Sequence, residues 1–127
     1  MDKVALVTGC SSGIGFETAL ALAREGYHTY ASMRDTKKGA KILDIAKKEK
    51  LDISVIALDV DKPESVESAI KQIISEKKRI DVLVNNAGYG YLGSVEESDE
   101  REVRSMFEAN FFGLAGMIHA VLPGMRR

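Results

Sequence analysis

The sequence predicts an α/β fold, a doubly wound parallel sheet with helices on both faces and strand order 3-2-1-4, and three observations carry that expectation. Short apolar runs alternate four times with segments of helical periodicity. The first run, Val4–Val7, is continuous rather than alternating, as in a strand buried on both faces. A glycine-rich stretch, residues 8–15, separates the first run from the first helix. The order follows from right-handed crossovers with a reversal after the third strand, which puts the fourth strand at an edge.

Each element has a local reason. Val4–Val7 is the first strand, and the Ala- and Leu-rich residues 14–23 form a helix stopped by Gly26. His28–Met33 is the second strand. Residues 36–50 place Ile42, Ile45 and Ala46 on one face among lysines, and residues 53–58 form the third strand. Asp61 and Pro63 open a helix whose Val66, Ile70, Ile73 and Ile74 keep helical spacing, and residues 81–84 form the fourth strand. From about Asp99 a long helix carries Val103, Met106, Phe107, Asn110, Leu114, Met117, Ile118 and Val121 on one broad stripe, with Pro123-Gly124 expected to end or bend it.

With 127 residues and no repeat, linker or low-complexity tract, a single domain over 1–127 is expected. A net charge of -1 with dispersed lysines gives no case for nucleic acid. The single cysteine, Cys10, excludes an internal disulfide, and a reducing, cytoplasmic setting is expected. His28 and His119 lack partners at metal-ligand spacing, so no metal site is expected. The N-terminus is too short in apolar residues and too acidic for a signal peptide. Residues 106–125 reach membrane-spanning length but contain Glu108, Asn110, His119 and Pro123, so a buried helix and no membrane is the expectation.

The chemistry begins at Thr8-Gly9-Cys10-Ser11-Ser12-Gly13-Ile14-Gly15, between a buried strand and a helix. Gly9 permits a sharp exit from the strand, Gly13 lets backbone approach a diphosphate, and Gly15 lets the helix pack on the sheet. The positive end of the helix then faces the phosphates. No Gly-Lys-Ser/Thr follows, which excludes a Walker-type loop. Cys10 has no visible base and reads as a small residue filling the turn.

The spacing Gly-x-x-x-Gly-x-Gly, with Asn85-Asn86-Ala87-Gly88 after the fourth strand, Asp59-Val60 after the third and Asn110-Phe111-Phe112-Gly113 in the long helix, resembles the short-chain dehydrogenase/reductase family. The resemblance covers nearly the whole chain and implies a Rossmann-like fold in which Gly9, Ser11, Ser12, Gly13, Ile14 and Gly15 bind a nicotinamide dinucleotide. It implies an adenine contact for Asp59, which a carboxylate at the carboxyl end of a strand can make, with the Val60 backbone beside it. The alternative for Asp59 is a turn-forming role before Pro63. Asn86, Ala87 and Gly88 would lie against the ribose, or form only an Asn-rich turn. Asn110 sits on an otherwise apolar stripe, where burial demands partners. By resemblance it positions a water leading to the catalytic lysine; otherwise it is a satisfied core residue. Tyr89 and Tyr91 contact substrate or pack the loop.

Cofactor choice is read at residues 31–35, Ala-Ser-Met-Arg-Asp. In the family's register Met33 takes the place of an acid and Arg34 follows, which favours NADP(H) over NAD(H), with Ser11 a further donor to the 2'-phosphate. A one-residue shift would make Asp35 the ribose acceptor instead.

The family's chemistry is hydride transfer between nicotinamide and an alcohol or carbonyl substrate, with a Tyr as acid/base and a Lys four residues later to lower its phenol. Four residues beyond Tyr27, Tyr30, Tyr89 and Tyr91 stand Ala31, Arg34, Gly93 and Val95. The expected reading is therefore the cofactor-binding half of an oxidoreductase, truncated, without the fold's C-terminal half and inactive alone. The alternative is a non-catalytic dinucleotide-binding or sensing domain. The free edge strand and broad apolar stripe lead to the expectation of self-association or pairing with a complementing C-terminal half.

Overall fold

The structure, a computed structural model, describes residues 2–127. Strands β1 (Val4–Val7), β2 (His28–Met33), β3 (Ile53–Ala57) and β4 (Val82–Val84) form one parallel sheet in the order β3-β2-β1-β4. This is the expected order, with β4 at the edge. Helices α1 (Gly13–Arg24) and α2 (Ala40–Glu49) cover one face, while α3 (Pro63–Lys77) and α5 (Leu114–Met125) cover the other.

The alternation along each strand explains the two cores. Val4 and Leu6 face α3 and α5 with Tyr30, Ile56, Ile73 and Met117. Val7 faces α1 and α2 with Phe16, Leu20, Ala31, Met33 and Ile42. Full burial of a side chain such as Leu6 or Ile73 contributes about 1.5–3 kcal/mol, so both faces contribute to holding the sheet. Helix α1 stops where Gly26 takes a φ of +96°. Helix α3 starts on Pro63 in its first turn and ends where Lys78 adopts a left-handed φ of 66°. The segment expected to be helical over 36–50 is a 3-10 turn at Thr36–Gly39 followed by α2, with Lys50 left-handed at its end.

The long helix departs from expectation. Helix α4 (Glu100–Phe107) passes through a π turn, Glu108–Gly113, into α5. Only Ala109, Gly113, Met117 and Val121 along it are buried, each four residues after the last. Phe107, Phe111, Leu114, Ile118 and Leu122 are exposed, and so is Asn110. The expected buried helix is thus buried along one stripe, because the sheet face beside α3 accepts only that stripe and no other described element covers the rest. Pro123 lies inside α5, which runs on to Met125, and having no N–H it forgoes one intrahelical hydrogen bond there. Among the described residues one helical run, Glu100–Met125, is long and apolar enough to cross a membrane by length and composition, and its inner stripe packs on the sheet.

Candidate functional site

Two loops leave the carboxyl edge of the sheet side by side, and hydrogen bonds join them. Thr8 follows β1, fully buried, and its Oγ1 accepts the backbone N–H groups of Asn86 (3.0 Å) and Ala87 (2.9 Å). In return the Asn86 amide donates to the carbonyls of Thr8 (3.1 Å) and Gly9 (3.0 Å). Thr8 was not among the residues expected at the site. The signal for it is the type itself, a hydroxyl at the end of a fully apolar strand, which must find partners once buried.

Gly9 takes a φ of +69°, and a Cβ there would stand 2.9 Å from the Ala87 Cα. At Gly15 a Cβ would overlap the Gly9 carbonyl and the Asn86 amide. Gly15 is therefore needed because the two loops cross behind it. Helix α1 begins after Ser12, whose side chain caps nothing, and its first turn carries no acidic residue. The leading N–H groups are left for an external anion.

Between these loops lies a groove of about 590 Å³, within the usual range for ligand sites. The glycine loop supplies Gly9, Ser11, Ser12 and Ile14 to its lining, and the end of β2 supplies Met33 and Arg34. Asp59 and Val60 line it beyond β3, and Asn86, Ala87, Gly88 and Tyr89 beyond β4. Gly13, Gly15 and Asn110 do not line it, although Gly13 opens the helix directed at it. Other grooves, of about 740 and 680 Å³, run along α3 and α5, away from the glycine loop.

Asp59 serves its turn as well as the groove. Its Oδ1 accepts the Asp61 N–H at 3.0 Å, and its own N–H donates to Ser65 Oγ at 2.9 Å. The Asp35 carboxylate accepts the Lys37 N–H at 3.0 Å and caps the 3-10 turn. Arg34 lies between the groove and a side cavity of about 290 Å³ that shares Ser11, Met33 and Arg34 with it and adds Asp35 and Lys38.

Asn110, expected to be buried, is exposed in the π turn, and its partners are backbone. Its Oδ1 accepts the Tyr89 N–H at 3.0 Å and its Nδ2 donates to the Tyr89 carbonyl at 2.7 Å. Both ends of the amide thus hold the loop after β4, with Gly88 packed directly against it. Tyr91 is also structural: its hydroxyl accepts the Asp99 N–H at 3.2 Å, tying the loop to the start of α4. The Cys10 thiol is buried and donates to the Val7 carbonyl at 3.1 Å. Burial pushes it up to about 12, so it is no nucleophile.

A dinucleotide fits this donor set. An uncapped helix N-terminus and two serines suit its diphosphate, an Asp beyond β3 suits an adenine amino group, and backbone without bulk at Ala87 and Gly88 suits a ribose.

Comparison with known proteins agrees with this geometry. The chain is 40% identical over 125 residues to a 3-ketodihydrosphingosine reductase of Bacteroides thetaiotaomicron, covering 98% of this chain and 43% of that protein. It is 42% identical over 130 residues to human retinol dehydrogenase 8, covering 98% of this chain and 40% of that one. An alcohol dehydrogenase from the archaeon Thermococcus sibiricus, solved with 5-hydroxy-NADP, superposes with a TM-score of 0.93 at 37% identity, over 100% of this chain and 55% of that one. The chain spans about half the length, or less, of these relatives. The short chain dehydrogenase family matches residues 3–127, and the chain belongs to that family of oxidoreductases.

Proposed function

We propose that this chain is the cofactor-binding portion of an NADP(H)-dependent alcohol dehydrogenase or carbonyl reductase. The observation that carries the reading is the groove at the carboxyl edge, with an uncapped helix N-terminus at one side and Arg34 beside a small cavity at another. The NADP-type ligand of the Thermococcus sibiricus enzyme adds support.

Ser11, Ser12 and the N–H groups opening α1 would hold the diphosphate, the free oxygen of Asp59 the adenine amino group, and Arg34 with Ser11 the 2'-phosphate. When bound, the cofactor supplies or accepts the hydride exchanged with an alcohol or carbonyl. Proton transfer needs a phenol lowered toward neutrality. Burial and the Glu76 carboxylate push the Tyr30 phenol upward, and neither Tyr89 nor Tyr91 is followed four residues on by a lysine. On this reading the portion binds cofactor without turning over substrate by itself.

Separate titrations with NADPH and NADH test the reading, followed by an NADPH-oxidation assay with aldehydes and ketones. The expected result is tighter NADPH binding and no turnover. Binding of neither cofactor removes the dinucleotide site, and equal binding removes the preference.

A further inference from the structure

The side cavity at the end of β2 is lined by three charged residues, Arg34, Asp35 and Lys38. Arg34 and Asp35 are adjacent in sequence, and Asp35 is fixed in place. Its carboxylate accepts the Lys37 N–H, and its carbonyl accepts the Lys38 N–H at 3.1 Å. The charge of Arg34 is therefore offset by a carboxylate on the same small cavity. Residues 8–15, the other wall, contain no cation. Lys38 alone leaves the cavity net positive. Among the described residues neither Arg34 nor Lys38 is in an ion pair, so both are free for a ligand.

We propose that Lys38 is a specificity-determining residue, the cation that makes this cavity accept a phosphate monoester on the ribose rather than a bare hydroxyl. The inference rests on the NADP(H) reading above and adds to it a residue outside the glycine loop and the strand end. The shared lining of groove and cavity by Ser11, Met33 and Arg34 means that a group attached to a ribose in the groove enters the cavity without leaving it. A phosphate monoester carries about -1.5 to -2 charges at neutral pH, so one added cation discriminates it from a neutral hydroxyl. Lys37, one residue earlier, does not line the cavity.

The test is fluorescence or calorimetric titration of the chain with NADPH and with NADH, for the parent and for Lys38→Gln, Lys38→Arg and Lys37→Gln. Removing one exposed charge-assisted contact should weaken NADPH about tenfold and leave NADH within about twofold. Lys38→Arg should keep the preference, and Lys37→Gln should retain most of it, since Lys37 does not line the cavity and an exposed charge outside it is screened by solvent. If the parent shows no preference for NADPH, the NADP(H) reading fails and takes the inference with it. If the parent prefers NADPH and Lys38→Gln keeps the same preference, or Lys37→Gln loses as much, Lys38 alone is refuted.

Discussion

The two ends of the sheet are built from the same four strands and treat their polar groups in opposite ways. At the amino edge side chains hold one another. Tyr30 donates to Glu76 at 2.6 Å, and Gln72 donates to the other Glu76 oxygen at 2.9 Å. Arg79 pairs with Asp81, which accepts the Val4 N–H at 2.8 Å. His28 lies 2.6 Å from Asp52, off the hydrogen-bonding direction, and its other nitrogen is 3.3 Å from Ser54. At the carboxyl edge the side-chain bonds of Thr8 and Asn86 arrange backbone, while the first turn of α1, Arg34 and Lys38 are left free and the buried Ser32 hydroxyl has no partner. The paired side chains brace the amino edge, whereas Arg34 and Lys38, in no ion pair among the described residues, line the groove or its side cavity at the carboxyl edge.

The comparison predicts that a change at the carboxyl edge moves affinity and stability together, whereas one at the amino edge moves stability alone. The largest effect is expected at Gly15. In Gly15→Ala the new methyl meets the Gly9 carbonyl and the Asn86 amide, so the loops must separate. We expect a stability loss of about 1–3 kcal/mol and NADPH binding weakened at least about 100-fold, read by thermal melts and titration. Unchanged affinity would mean that the crossing of the loops does not shape the groove.

Thr8→Val comes next. It preserves volume and removes the acceptor for two N–H groups, at a cost of about 1–3 kcal/mol in denaturant unfolding. The Asn86 amide still bridges the loops, so NADPH should weaken only about tenfold. Tyr30→Phe is the matched test at the other end. It should lower the melting temperature and leave NADPH affinity within about twofold, because the lost bond to Glu76 is remote from the groove.

Much of this contrast is legible in the sequence, because the period of apolar residues reports burial directly. Val4–Val7 stands where its continuous apolar run puts it, His28–Met33 forms the expected second strand, and the glycine loop announces its groove through spacing and context. Periodicity does not report what covers a helix. Phe107, Leu114 and Ile118 belong to the expected stripe and lie exposed, while Met117 and Val121 of that stripe are buried and the inner stripe continues through Ala109 and Gly113, residues with little hydrophobic signal. A π turn shifts the register at Asn110, and no composition rule marks it. Thr8 is hidden for another reason: its importance lies in two N–H groups that are 78 and 79 residues away in sequence.

The smallest effect is electrostatic and belongs to the amino edge. The Arg79 guanidinium, helped by the Val4 N–H, holds the Asp81 carboxyl below its usual range against the opposing cost of burial. A carboxyl depressed in the folded state contributes stability above its unfolded value near 4, and that contribution is lost as pH falls through the lower folded value. Melting temperature should therefore decline below about pH 4, and Asp81→Asn should be less stable at neutral pH yet decline less steeply in acid. The two curves converge at the acid end. Glu49 beside Arg24 and Glu76 beside Tyr30 are held low in the same sense, so part of the decline survives the substitution. The pair is partly exposed and screened by salt, which keeps the difference small and makes low ionic strength the place to measure it. An Asn variant that declines as steeply as the parent would show that Asp81 pins the start of β1 by hydrogen bonding alone, with its charge contributing nothing.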